Sequence, residues 1–93
     1  MANNLQIFFE LQDGGANRDQ VDGKIKELGG WARVSASFWY VSSTLTASQA
    51  RDQIAPVLRA GDKLFVVNAS NGQAAWRGLP DKVSAYVKQK WTL

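Results

Sequence analysis

Strand-forming and helix-forming segments alternate along this chain in an order that few folds can accommodate. The first unit begins with a run of strand formers, Leu5 to Leu11, that turn residues then interrupt. Val21, Ile25 and Leu28 follow at i, i+4 and i+7, the spacing that places apolar side chains on one face of a helix. A short run of β-branched and aromatic residues is typical of a largely buried strand. The beginning of the chain therefore predicts a β-α unit.

Both ends of this first helix carry terminal signals. Asn17 is a favourable N-cap residue, and Gln20 lies three residues later, which fits a helix start. Gly29 and Gly30 supply the stop signal, since glycine readily adopts the backbone conformation that ends a helix.

The second sheet region extends from Trp31 to Ser42 and is rich in β-branched and aromatic residues. Its length and the small residues at 35–37 favour a tight hairpin of two short strands. A single bent strand is the alternative, and the pattern leaves it open.

A second helix and a further strand follow the hairpin. Thr46 and Gln49 match the capping box of a helix start. Pro56 lacks a backbone donor, which predicts a kink just before it, and Gly61 is the expected end of the helix. The apolar, uninterrupted run from 63 to 68 predicts a central buried strand.

The last part of the chain adds two elements to this pattern. A turn at 71–72 precedes a short extra edge strand at 74–76, and Pro80 marks the start of an amphipathic C-terminal helix. The complete order predicts one α+β domain over residues 1–93. It is a ferredoxin-like βαββαβ antiparallel sheet with two helices on one face, a short extra edge strand and a C-terminal helix.

Two missing residue types limit the chemistry. The sequence has no Cys and no His, which excludes disulfides, thiolate sites and any Ser-His-Asp arrangement. Lys and Arg exceed Asp and Glu by 11 to 8, a mild excess spread along the chain. We expect a cytoplasmic protein, because there is neither a basic, apolar leader nor an apolar run that could span a membrane.

Six short segments of the chain carry a family likeness. They are Phe9-Glu10-Leu11-Gln12, Leu28-Gly29-Gly30-Trp31, Ser37-Phe38-Trp39-Tyr40-Val41, Arg51-Asp52-Gln53-Ile54, the run from Ala60 to Val67, and Ala74-Ala75-Trp76. Together these segments resemble the small bacterial SinR-like proteins. The likeness extends over roughly residues 5 to 91. Those proteins look like distant relatives of the ferredoxin-like CRISPR-associated nuclease and of VapD-type toxins. The resemblance implies a ferredoxin-like fold, homodimerisation and an ancestral link to nucleic acid.

One acidic position decides whether the resemblance extends to chemistry. In the nuclease-like relatives the first strand ends in an Asp, and the two copies in a dimer are proposed to share a divalent metal. Glu10 occupies the matching position, with Asp13 as the one obvious second ligand. Glu10 would then be the catalytic and metal-binding residue, with Mg²⁺ or Mn²⁺ activating water. The alternative is a solvated strand-end residue beside ordinary turn chemistry, and no cofactor is then expected.

Aromatic and basic residues offer candidate contact surfaces. Alternation places Phe38 and Tyr40 on the sheet face opposite Trp39, so one set can form core while the other forms an interface or a base-stacking surface. We expect Trp39 and Trp76 to be interface residues. Arg33 and Arg77 are the candidate phosphate contacts, with scattered surface charge as the alternative (Arg77 lies in a loop).

Three functional hypotheses follow. The first is a non-catalytic, homodimeric binding or structural protein with a protein or nucleic-acid partner. The second is a metal-dependent ribonuclease or deoxyribonuclease that uses Glu10 at a dimer axis. The third is a nucleic-acid binder without catalysis.

Overall fold

The computed structural model of this chain describes residues 2–12, 15–70, 75 and 77–91. In this part of the chain, four strands and three α-helices follow one another, with a short 3₁₀ turn after the second helix. The elements are β1 (Asn3–Glu10), α1 (Arg18–Lys26), β2 (Gly30–Ser35), β3 (Phe38–Ser43), α2 (Ala47–Ile54), the 3₁₀ turn (Ala55–Val57), β4 (Lys63–Asn68) and α3 (Asp81–Lys90).

The four strands form one antiparallel sheet in the order β2-β3-β1-β4. In this βαββαβ order β1 lies between β3 and β4, and the hairpin strands β2 and β3 are neighbours. The prediction of an α+β, ferredoxin-like fold with an additional C-terminal helix is therefore confirmed.

The main core lies between the sheet and the helices α1 and α2. Alternate residues of β1 and β3 point toward these helices, as the two-residue period of a strand requires. Trp39 has no exposed area and is the largest fully buried side chain. The buried members of this core are Leu5, Ile7, Phe9, Val21, Ile25, Leu28, Trp39, Val41, Ala50 and Ile54.

A second, smaller cluster lies on the opposite face of the sheet, under α3. Val87 of α3 is buried against Ala32 of β2 and Tyr40 of β3. The Tyr40 ring stacks on Trp91 with centroids 5.7 Å apart. Burial raises the pKa of the Tyr40 hydroxyl, and this hydroxyl donates a hydrogen bond to Asn4 Oδ1 at 3.1 Å. The C-terminal helix thus builds a core of its own over β2 and β3.

The second sheet region is a hairpin, as predicted, and the bent-strand alternative is excluded. β2 and β3 pair from Gly30–Ser42 to Ser35–Phe38, with a register shift between Arg33 and Ser35. Gly29 lies where the chain enters this hairpin from α1. A Cβ atom there would collide with the Ser42 carbonyl group, so the close approach of the two segments requires glycine.

The prediction that β4 is a central strand is wrong. β4 pairs with β1 alone in the sheet and is a terminal strand, and Phe65 is 66% exposed. Leu64 and Val66 face the main core and are only partly buried. A continuous apolar run predicts burial on both faces of a strand, whereas the face of β4 that carries Phe65 is open.

The start of α2 matches the prediction, but its end does not. Thr46 and Gln49 form the expected capping box, with N–O distances of 2.9 and 3.1 Å. The α-helix ends at Ile54, before the predicted end at Gly61, and Pro56 lies in the 3₁₀ turn that follows. Gly61, with φ +87°, belongs to the turn before β4.

Asn17 precedes α1 as predicted, but its side chain does not cap the helix. Its amide group instead donates to the Val57 carbonyl oxygen at 2.7 Å and to Asp62 Oδ2 at 3.0 Å. These bonds tie the start of α1 to the segment that leads into β4, so the amide serves tertiary structure.

The predicted extra edge strand at 74–76 lies mostly outside the described residues. Of its three positions only Ala75 is described, and the strand stays a prediction. None of the helices in the described ranges is long and apolar enough to cross a membrane.

Candidate functional site

Three phenylalanines form a row across the middle of the sheet, on the face opposite α1 and α2. Phe8 of β1 is the direct cross-strand partner of Phe38 on β3 and of Phe65 on β4. The Phe8 and Phe38 rings stack with centroids 4.2 Å apart and planes 9° apart. Phe8 is 38% exposed and Phe65 is 66% exposed. We call these three residues the aromatic row.

The aromatic row is exposed because α3 covers only part of this face. Ala32 of β2 and Tyr40 of β3 pack under α3 with Val87, and Val34, Val83 and Tyr86 pack against this cluster. Among the described residues the face therefore has a covered half, over β2 and β3, and an open half at the ends of β1 and β4 that carry Phe8 and Phe65. At the other end of β1, Asn4 on the same face is buried. Large apolar side chains on a terminal strand are uncommon without a partner surface.

An open depression of about 530 Å³ lies at this end of the face, and the aromatic row forms part of its wall. Its polar lining consists of Glu10, Ser35, Ser37 and Lys63. Because Phe and Leu side chains form most of the lining, the surface suits contact with another apolar surface.

Glu10 and Lys63 are cross-strand partners at the end of the open half. Their closest approach is 3.9 Å, between Lys63 Nζ and Glu10 Oε1, with side chains 75% and 66% exposed. A charge-assisted hydrogen bond is normally shorter, at roughly 2.7–2.9 Å. The pair is therefore loose, and both groups retain bonding capacity toward solvent or a partner.

Glu10 is the single acidic side chain that lines the depression among the described residues. No group of three or more potential metal ligands occurs in the described part of the chain, and Asp13 lies outside it. One carboxylate falls short of the octahedral oxygen shell that Mg²⁺ demands. The described residues of one protomer thus do not fit a metal, and the catalytic role of Glu10 and Asp13 stays a prediction.

The two candidate phosphate contacts lie apart from the aromatic row. Arg33 lies on the face of the sheet that α1 and α2 cover. Its guanidinium group pairs with Asp22 at 2.7 Å and lies over the Trp39 ring at 4.7 Å. Arg77 is exposed in the loop before α3, beside Asp81 and Lys88. The fold does not bring the two arginines together, and phosphate binding by either one stays a prediction.

The two predicted interface tryptophans lie in very different places. Trp39 is fully buried in the main core, which leaves it no exposed area for direct contact with a second protomer. Trp76 lies outside the described residues.

Phe8 and Phe65 are not among the predicted site residues. A signal was present, because in the Phe8-Phe9 pair one ring must face away from α1 and α2. In a βαββαβ chain the fourth strand also lies beside the first at the margin of the sheet, which places Phe65 next to Phe8.

The chain matches none of the known protein-family models and none of the curated proteins with which it was compared. Membership of the SinR-like group therefore stays a prediction, and the functional argument depends on the geometry of the open half.

Proposed function

We propose that the chain is a non-catalytic, homodimeric binding or structural protein whose protomers meet through the open half of the sheet. The observation that supports this proposal is the aromatic row, whose exposed members Phe8 and Phe65 lie on β1 and β4. Burying such rings is favourable by roughly 25 cal/mol for each Å² of apolar surface removed from water. A second copy presents the same apolar surface and the same Glu10–Lys63 pair, so it is a self-complementary partner.

The test is the association of two matched variants. Phe65→Ser removes the most exposed aromatic side chain of the open half, and we expect the dimer dissociation constant to rise at least tenfold, as is typical of a central aromatic residue. Trp31→Ser is the control, because Trp31 is 40% exposed but lies on β2, at the other edge of the sheet. Equal dimer dissociation constants for Phe65→Ser and Trp31→Ser, measured by sedimentation, would contradict the proposal.

A second candidate is the binding of single-stranded nucleic acid by the same aromatic row. Three aromatic side chains on neighbouring strands, with Lys63 at one end, form the kind of surface on which bases stack. Fluorescence anisotropy of labelled RNA and DNA oligonucleotides tests it. Binding that weakens with added salt and is lost in Phe8→Ser would support it, since phosphate contacts release counterions.

The nuclease hypothesis has its own experiment. Wild type and Glu10→Gln are incubated with single- and double-stranded RNA and DNA in Mg²⁺ or Mn²⁺. Under the proposed function we expect no cleavage from either protein. Metal-dependent cleavage by wild type that Glu10→Gln abolishes would replace the proposal with a metal-dependent nuclease. The proposal also includes a cytoplasmic location, which this cleavage experiment does not test.

A further inference from the structure

The outer edge of β2 has a hydrogen-bonding pattern that the rest of the sheet determines. β2 is the terminal strand farthest from β4. The Phe9 N–H group donates to the Ser37 carbonyl oxygen at 3.0 Å, where β1 continues its pairing with β3. Opposed residues of an antiparallel pair alternate between bonded and non-bonded positions. Trp39 and Val41 of β3 therefore direct their backbone N–H and C=O groups toward β1.

The intervening residues of β3 direct their backbone groups the other way, toward β2. Tyr40 is opposite Ala32, so these two residues form a bonded pair and the neighbours of Ala32 do not. The N–H and C=O groups of Trp31 and Arg33 therefore point away from the sheet. No residue in the described ranges bonds to these backbone groups. Such a row of donors and acceptors is a template for pairing with another chain.

A groove of about 290 Å³ lies between this edge and α3. One wall is the strand and the other is the helix, and the lining residues are Trp31, Ala32, Arg33, Lys82, Val83 and Tyr86. Two of these side chains are cationic and none is acidic. The groove therefore combines apolar surface with positive charge.

The side of the edge that faces α1 is also positive. Lys26 Nζ lies 4.9 Å from the centre of the Trp31 ring, and the Arg33 side chain is half-exposed. Asp22, the acid that pairs with Arg33, is nearly buried. Both sides of the β2 edge therefore present cations to an approaching chain.

We infer that β2 binds an extended peptide of alternating acidic and apolar residues from a partner protein. The peptide adds a strand at the outer edge of β2, and its main chain bonds to the backbone groups of Trp31 and Arg33, the recognition mode known as β-augmentation. The inference goes beyond the proposed homodimer, because β2 and β4 are opposite edges of the sheet.

The geometry of an added strand sets the sequence pattern of the peptide. Successive side chains of a strand point to opposite faces of the sheet. A peptide residue opposite Ala32 points into the groove beside Val83 and Tyr86, which suits an apolar side chain. Peptide residues opposite Trp31 and Arg33 point to the α1 side, where cations favour Asp or Glu.

Fluorescence anisotropy of a labelled peptide of alternating Glu and Val, with the six-residue length of β2, tests the inference. We expect saturable binding, and much weaker binding of the peptide in which Lys replaces Glu, because charge complementarity suppresses wrong partners. N-methylation of the peptide amides that face β2 should abolish binding, since it removes main-chain donors and keeps every side chain. No saturable binding of the Glu-Val peptide at millimolar concentration, or unchanged binding after N-methylation, would overturn the inference.

Hydrogen exchange followed by NMR locates the bound peptide. In the free protein the N–H groups of Trp31 and Arg33 should exchange quickly and that of Ala32 slowly. The peptide should slow exchange at Trp31 and Arg33 by roughly tenfold or more, because both N–H groups become hydrogen-bonded. Slow exchange at these two residues in the free protein would show that the edge is already paired and would contradict the inference.

Two lysines of α3 supply matched variants. Lys82 lines the groove, whereas Lys88 lines a different depression, beside Arg77. Lys82→Glu and Lys88→Glu change the net charge equally, and we expect only Lys82→Glu to weaken peptide binding, by roughly tenfold. Equal weakening would show that net charge alone attracts the peptide and would overturn the inference. Phe65→Ser should bind the peptide as wild type does, so failure of the homodimer and failure of this site are distinguishable.

Discussion

The covered half and the open half of one sheet face obey the same alternation of side chains but end in different environments. On the covered half, Tyr40 is 2% exposed and stacks on Trp91 beneath α3. On the open half, Phe65 occupies an equivalent outward position and is 66% exposed. The difference arises from where α3 lies and not from the strands. An exposed aromatic row next to a satisfied aromatic core is what identifies the open half as a contact surface.

The largest expected effect comes from breaking the covered half. Val87→Asp places a carboxylate in the cluster that holds α3 on the sheet, where Val87 is 4% exposed. We expect the free energy of unfolding to fall by about 3 kcal/mol or more, because a buried, unpaired charge is strongly unfavourable. Urea denaturation measures the change.

Phe65→Asp is the matched substitution on the open half. Its stability at a concentration where the protein is monomeric should stay within about 0.5 kcal/mol of wild type, as for most exposed positions. Equal losses in the free energy of unfolding for Val87→Asp and Phe65→Asp would show that the covered half and the open half are equally buried in the monomer.

A smaller effect is expected from the hydroxyl group of the covered half. Tyr40→Phe keeps the stacking on Trp91 but removes the hydrogen bond to the buried Asn4. We expect a loss of about 1–3 kcal/mol, because a hydrogen bond is lost in a site shielded from water. Thermal and urea unfolding both report it, and a variant as stable as wild type would mean that this bond contributes nothing.

The smallest expected effect concerns the loops that border the open half. The backbone N–H groups of Arg59 and Gln12 donate to the Asp62 carboxylate, each at 2.7 Å, and hold its pKa below the ordinary value. A depressed pKa in the folded state contributes stability that is fully present above the unfolded pKa of about 3.9. That contribution is lost as the pH falls through the lower folded value.

Asp62→Asn should therefore lower stability at neutral pH and remove this part of the acid dependence. The measurement is urea unfolding between pH 7 and pH 2 for wild type and Asp62→Asn. If both proteins lose stability in parallel as the pH falls, Asp62 is not the group responsible. Replacing the Asp62 carboxylate should leave α3 and the covered half unchanged, which circular dichroism of the folded variant can check.

The fold was predictable because its signals are local. The capping box at Thr46 and Gln49, the glycines after α1 and the length of the hairpin region each depend on neighbouring residues, and the βαββαβ order follows from their sequence. The position of β4 was mistaken because a continuous apolar run looks the same in a central strand and in a terminal strand that carries an exposed Phe65. Exposure of that residue depends on what lies above it in space.

The candidate site was less predictable for the same reason. Glu10 was identified from the family resemblance, but its cross-strand partner Lys63 appears only when β1 and β4 are placed side by side. Arg33 looked like a phosphate contact, yet Asp22 lies four residues into the helix that packs over it and forms an ion pair with it. Pairings between distant segments decide which charged side chains remain available, and no local pattern reports them.

Sedimentation velocity of the wild-type protein over a range of micromolar concentrations tests the central claim most directly. The account predicts a concentration-dependent species of twice the 10.2 kDa chain mass, formed through the open half. A single species of the chain mass at every concentration would contradict it, because the aromatic row would then remain exposed to solvent.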